Sequence, residues 1–306
     1  MMERALSWIP LLVAAVFSPL AVGIIRKVKA LFAGRKGPPL LQMYRDIAKL
    51  LKKGVVYSQS TTWVFRAAPL LALSVGLAAC AWLPFGAQAG IFSMTGGFIL
   101  IAYLFGLSRF FTILASLDTA SAFEGMGANR EAFFAVIAEP AILLSFGAII
   151  LTSGNSSLWN AMLYAQDASF AEYGVVPSLV LISFFILALS ENSRIPVDDP
   201  TTHLELTMIH EVMILDNSGP DLAFIEYGAS LKLWFYLTLM ANIVTSIISL
   251  TGWQKTLGTF LTVMLLAAIV GIVESSIARL RMKKVPDFIG AAAAFAFLAL
   301  ILEGVL

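Results

Sequence analysis

The feature that most constrains this chain is a succession of nearly uncharged apolar runs, each close to the roughly 20 residues that cross a bilayer as a helix. By hydropathy they fall at about 5–25, 63–83, 96–114, 132–151, 175–190, 229–250, 257–273 and 288–306. Backbone polar groups in lipid must be satisfied within their own segment, so runs of this length fold as helices. Composition agrees: 59% of the 306 residues are hydrophobic and 13% charged, against about 25% charged in an average soluble domain. The expected fold is all-α. It is a polytopic membrane protein of about eight transmembrane helices with helical cytoplasmic loops, forming a single integral membrane domain over residues 1–306.

Lys and Arg set the orientation. Arg26, Lys27, Lys29, Arg35, Lys36, Arg45, Lys49, Lys52 and Lys53 follow the first run, and Arg279, Arg281, Lys283 and Lys284 precede the last. Both groups belong in the cytoplasm by the positive-inside rule, which places both termini outside it and the chain in the cytoplasmic (inner) membrane. The loops predicted on the other face, 85–95, 152–174 and 251–256, hold only Lys255. The first run is too long for a cleavable signal peptide, carries Pro10 and Pro19, and is followed by a basic loop, so it is expected to stay as a helix.

Several chemistries are excluded. A net charge of +1 gives no electrostatic grip on nucleic acid. The single cysteine, Cys80, makes no internal disulfide and holds no iron–sulfur cluster. His203 and His210 are the only histidines, so no transmembrane pair ligates haem, and His210-Glu211 lacks the H-E-x-x-H spacing of a zinc site. Neither a P-loop nor a G-x-G-x-x-G fingerprint is present. No metal site, cofactor or catalytic centre is expected in this chain alone.

The predicted cytoplasmic segments carry the polar mass. Gly34 to Pro39 form a turn cluster, followed at 41–51 by a short amphipathic helix with Leu41, Tyr44, Ile47, Ala48 and Leu51 at helical spacing and basic residues opposite. Such a helix lies on anionic lipid or docks a soluble partner, and its length does not choose between them. Between 191 and 228, Glu191, Asp198, Asp199, Glu205, Glu211, Asp216, Asp221 and Glu226 face one permanent cation, Arg194. Apolar residues such as Leu204, Met208, Val212 and Ile214 among them predict packed structure rather than a solvated loop.

One carboxylate lies deeper. Arg130 and Glu131 open the fourth span after Gly125, Gly127 and Asn129, read here as a turn, and Glu139 follows eight residues on, about 12 Å into the helix. An ionised Glu there costs several kcal/mol unless paired or hydrated, and the default expectation is an ion or proton pathway. Pro140 removes a backbone N–H beside it. Lys232 and Glu274 are further candidates near span ends, where both have the reach to snorkel. Glu3, Arg4, Asp167, Glu172, Lys255 and Glu303 sit at outer ends or loops and read as solvated charge.

Together these segments resemble one family. Gly34-Arg35-Lys36-Gly37-Pro38 through Leu41-Gln42-Met43-Tyr44-Arg45-Asp46-Ile47, Leu117-Asp118-Thr119, Gly127-Ala128-Asn129-Arg130-Glu131, Ala138-Glu139-Pro140, Glu191-Asn192-Ser193-Arg194-Ile195-Pro196-Val197-Asp198 and Glu226-Tyr227 look like subunit 1 of the membrane arm of respiratory complex I and its hydrogenase relatives. The acidic segment departs from the quinone-reducing pattern, with Thr201 and His203 at two positions where that branch has glutamates and only Glu205 kept. Glu274-Ser275-Ser276-Ile277-Ala278-Arg279-Leu280-Arg281 looks closer to the membrane subunit of formate hydrogenlyase and hydrogenase-4 type complexes.

The resemblance implies a membrane subunit of a group 4 nickel–iron hydrogenase complex. Its partners would be the soluble hydrogenase large and small subunits, which hold the nickel–iron centre and the iron–sulfur clusters, with antiporter-like membrane subunits and membrane lipid. Glu131, Glu139, Glu191, Asp198, Glu205 and Glu226 are the implied start of a proton or sodium path, joined on composition alone by Asp199 and Glu211 and tuned by Arg130 and Arg194. Arg35, Lys36, Arg45, Asp46 and Lys49 are the implied docking residues. Three alternatives stay open: subunit 1 of a proton-pumping NADH:quinone oxidoreductase, a static anchor without ion transport, and a free-standing transporter, against which the lack of an inverted repeat counts.

Overall fold

A computed structural model describes residues 6–92, 94–164, 174–199, 208–248 and 250–305. The described helices are α1 (Ile9–Phe32), α2 (Gln42–Leu51), α3 (Trp63–Trp82), α4 (Gly97–Asp118), α5 (Ala122–Ser153), α6 (Leu158–Tyr164), α7 (Val175–Glu191), α8 (His210–Met213), α9 (Gly219–Ile247), α10 (Gly252–Ser276) and α11 (Val285–Val305). Seven are long and apolar enough to cross a membrane. The remaining predicted span, 175–190, falls on α7, whose 17 residues reach about 25 Å, at the lower limit for a crossing.

The bundle is built around α9. Of its apolar stretch 83% is buried, against 28% to 44% in the other six long helices, so it is the axis and the others its wall. It is apolar all round over Leu231 and Leu233 to Leu237, as an enclosed helix must be. It packs on α1, α3, α7 and α10 and on the short α2, while α11 fills the space between α5 and α7. Without a hydrophobic drive between helices in lipid, close approach depends on small residues. At Gly228 a Cβ would lie 2.7 Å from the carbonyl oxygen of Ala72, so α3 and α9 meet backbone to backbone there.

Three helices run past the apolar windows that predicted them, all toward the same end of the bundle. α1 continues to Phe32 and carries Arg26, Lys27 and Lys29; α9 begins at Gly219 and carries Asp221 and Glu226. α5 begins at Ala122, so Gly125, Gly127 and Asn129 are helical and not a turn. Hydropathy detects only the part of a helix that meets lipid. Gly127 is there for contact: a Cβ on it would stand 2.9 Å from the carbonyl oxygen of Ile209 and 3.0 Å from Met213 Cγ, so α8 rests directly on the α5 backbone.

Two expectations are corrected. The buried side of α2 is Met43, with Ile47 and Leu50 part-buried beside it, whereas Leu41, Ala48 and Leu51 of the predicted face are exposed. The apolar arc of this helix is broad, from Leu50 and Met43 round to Ala48, and its two tethers, the Tyr44 hydroxyl donating to the Val16 carbonyl and the Arg26–Asp46 pair, hold the Met43 edge of it against the bundle. Lys255 is not solvated. It is 2% exposed and donates to the Met162 carbonyl at 3.3 Å, within a polar seal where Asn242 donates to the Pro84 carbonyl and accepts from the Gly86 amide.

Candidate functional site

One half of the bundle gathers ionisable side chains around one guanidinium. α4 carries Arg109, only 8% exposed at its side chain, into the interior. Glu131 and Glu139 reach it from α5, Nε–Oε1 at 3.2 Å and Nη1–Oε1 at 3.9 Å, and Glu191 at the C-terminal end of α7 pairs with its Nη2. From α9, Lys232 Nζ lies 2.8 Å from Glu191 Oε2 and donates to the Glu191 carbonyl at 2.8 Å. A buried carboxylate is tolerable only with such partners. Three candidate carboxylates are thus brought together by Arg109, a residue the sequence reasoning passed over. The signal was present, because an arginine inside an apolar span is by default a functional residue.

Small cavities surround this centre. One of about 90 Å³ is lined by Arg109, Glu131, Glu191, Lys232 and His210 among others. Another of about 80 Å³ lies between Arg109, Gly106, Tyr103, Tyr236 and Glu139. The Glu139 side chain is 59% exposed on the outside of the bundle, well inside the length of α5. The cluster therefore runs from the interior to a lateral face.

A larger vestibule of about 530 Å³ opens beside it, walled by Arg26, Lys29, Met43, Arg194, Glu211, Glu226 and Glu274 among others. Asn192, Ser193 and His210 face both this space and the 90 Å³ cavity. Glu274, fully buried at its side chain, pairs with Lys29 at 2.9 Å and Arg194 at 3.4 Å, and Lys232 pairs with Glu191 at 2.8 Å, so neither Glu274 nor Lys232 snorkels. Glu211 on α8 is pushed up from the ordinary 4.5 to about 7, by burial first and then by the charges of Glu226 and Asp198, with Arg26 and Arg194 pulling the other way. A carboxyl held near neutrality takes up and releases protons at working pH.

The remaining candidates divide by position. Asp198 accepts from the amides of Ile209 and His210 at 3.0 and 3.1 Å and from Arg279 at 2.8 Å, so it holds the start of α8. The Asp199 amide donates to the same carboxylate at 3.0 Å. Arg130 donates to the Met208 carbonyl at 2.7 Å, tying α5 to the chain before α8. Glu205 lies outside the described residues. Arg35, Lys36, Arg45 and Lys49 are exposed, while Asp46 turns inward to Arg26 at 3.7 Å and accepts from Gln42 at 2.8 Å. Glu124, also passed over, is fully buried and accepts from the Asp216 amide at 3.0 Å.

Comparison with known proteins identifies relatives along nearly the whole chain. A family model described as NADH dehydrogenase matches residues 5–303. Formate hydrogenlyase subunit 4 of Escherichia coli (strain K12) is 29% identical over 302 residues, 95% of each chain. Hydrogenase-4 component C of the same organism is 30% identical over 272 residues, 86% of this chain and 84% of that protein. An NADH-quinone oxidoreductase subunit of Rubrobacter xylanophilus is 28% identical over 240 residues, 76% and 70% of the two chains. In fold, the chain is similar to one in the membrane-bound sulfane sulfur reductase, an archaeal respiratory membrane complex, with a TM-score of 0.82 at 17% identity over 99% of this chain and 100% of that one.

Proposed function

Because this chain belongs to the NADH dehydrogenase family, of the complex I subunit 1 type, we propose that it anchors a nickel–iron hydrogenase module to the membrane and begins the ion path that its turnover drives. At the coarser level it is a multi-pass membrane subunit of a complex I-related oxidoreductase complex. The hydrogenase assignment is supported by the two hydrogenase-type relatives, of which the formate hydrogenlyase subunit matches over 95% of both chains while the quinone oxidoreductase subunit matches over 70% of its own. The ionisable walls of the vestibule suit water and small ions better than an apolar ring. The nickel–iron centre and iron–sulfur clusters belong to the soluble partners, since a cluster needs several thiolates and this chain has Cys80 alone.

The observation that carries the ion path is the carboxylate row around Arg109. Glu211, Glu226 and Glu274 face the vestibule, Glu191 and Glu131 the buried cavity, and Glu139 the lateral surface. Exposed carboxylate at membrane depth is costly against lipid, which supports a neighbouring membrane subunit covering Glu139 and receiving the ion. A redox or docking change in the soluble module would act first on Glu211, whose proton is held near neutral pH. The exposed Arg35, Lys36, Arg45 and Lys49 present the docking charge on the cytoplasmic side. Both termini then lie outside the cytoplasm, in the inner membrane.

Purification of the tagged chain from membranes in mild detergent tests the assignment. The expected result is co-purified nickel–iron subunits with hydrogen evolution. NADH-linked quinone reduction in the same sample would transfer the chain to the complex I branch, and a chain that emerged alone would contradict the proposal.

A further inference from the structure

Among the described residues, Arg109 is the only side chain that lines all three small cavities of the cluster: the spaces of about 90 Å³ and 20 Å³ on the interior side and the space of about 80 Å³ that reaches Glu139. Its position therefore determines whether interior and lateral face communicate. Four details fit a guanidinium that moves. Its buried Nε meets Glu131 only as an ion pair at 3.2 Å, without the alignment of a hydrogen bond, and its Nη1 stands 3.9 Å from Glu139. Glu191 keeps a second cation, Lys232 at 2.8 Å, if the arginine leaves. Gly106, one turn before Arg109 on α4, leaves the lateral cavity open, because a Cβ there would meet only Glu139 Oε1, at 3.8 Å.

Building on the assignment of these carboxylates to an ion path, we propose that Arg109 is a positioning residue that acts as a latch, its guanidinium moving between the Glu131–Glu191 pair and Glu139 so that the lateral face is connected to the interior in only one position. An arriving cation favours the ionised carboxylate and a departing one the protonated form. The swing toward Glu139 thus releases a proton from Glu139 to the neighbouring subunit while Glu131, left with a weaker partner, takes one from the interior cavity. On the return swing the cation arriving at Glu131 expels its proton, and Glu139, left by the cation, takes up that same proton across the opening beside Gly106. One proton enters and one leaves per cycle, with the arginine charged throughout.

The test is the number of ions moved per electron by the purified complex in sealed vesicles. Gly106→Leu fills the space the guanidinium must enter without altering any charge, and Arg109→Met removes the cation. Each is expected to lower the ratio at least about fivefold, the low end of couplings between protein sites, while Gly106→Ala, which fits, stays near wild type and Arg109→Lys recovers part of the ratio. A wild-type ratio in Gly106→Leu overturns the latch, and this variant decides the matter if Arg109→Met does not assemble. Glu139→Gln is measured alongside. If it too moves ions normally, the path itself is wrong; if it stops them while Gly106→Leu does not, only the latch is wrong.

Discussion

At Glu211 the chemistry of the site becomes a stability statement. Burial and the charges of Glu226 and Asp198 raise its carboxyl from 4.5 to about 7, so the folded protein binds this proton more tightly than the unfolded chain. Its contribution to stability is whole at low pH and is lost as pH rises toward 7. Glu211→Gln is therefore expected to unfold at the same temperature as wild type near about pH 4 and at a higher one above about pH 7, measured in detergent across pH. Equal midpoints at both ends would show that the carboxyl is not held up. The carboxylates were legible in the sequence because depth in a span marks them, as at Glu139. Arg109 carries the same mark, a charge inside an apolar span, which a search for acids passes over, whereas Asp198 gave no sign that its oxygens hold the amides of Ile209 and His210.

The helices show the same division at the next scale. Apolar windows located α3, α4, α7 and α10 well, because lipid contact governs nearly all of their length. They missed the extensions of α1, α5 and α9 beyond the apolar windows, where helical structure is held by contacts between elements distant in sequence. The contact of α8 with Gly127 is one of these. Gly127→Val is expected to force α8 off α5 at a cost of about 1–3 kcal/mol, the usual range for overpacking, read as a lower unfolding midpoint of the purified protein. An unchanged midpoint would mean that α8 is not seated there. For α2, the exposed Arg45 and Lys49 predict that reversing both charges releases soluble subunits from washed membranes, and a retained module would refute their docking role.

Across the whole molecule, a vestibule, a buried cluster of opposed charges and one carboxylate exposed on the side of the bundle follow one another. At the opposite end, Lys255 and the Asn242 contacts with Pro84 and Gly86 form a polar seal with no comparable row of acids among the described residues. For the proposed ion path, this arrangement suits lateral transfer to a neighbouring subunit better than conduction straight across this chain. The most direct measurement is ion uptake per electron by the reconstituted complex carrying Glu139→Gln. Hydrogen evolution should persist while uptake falls at least about fivefold, as for the loss of a coupling between sites. Uptake at the wild-type ratio with normal hydrogen evolution would contradict the path and leave the chain an anchor.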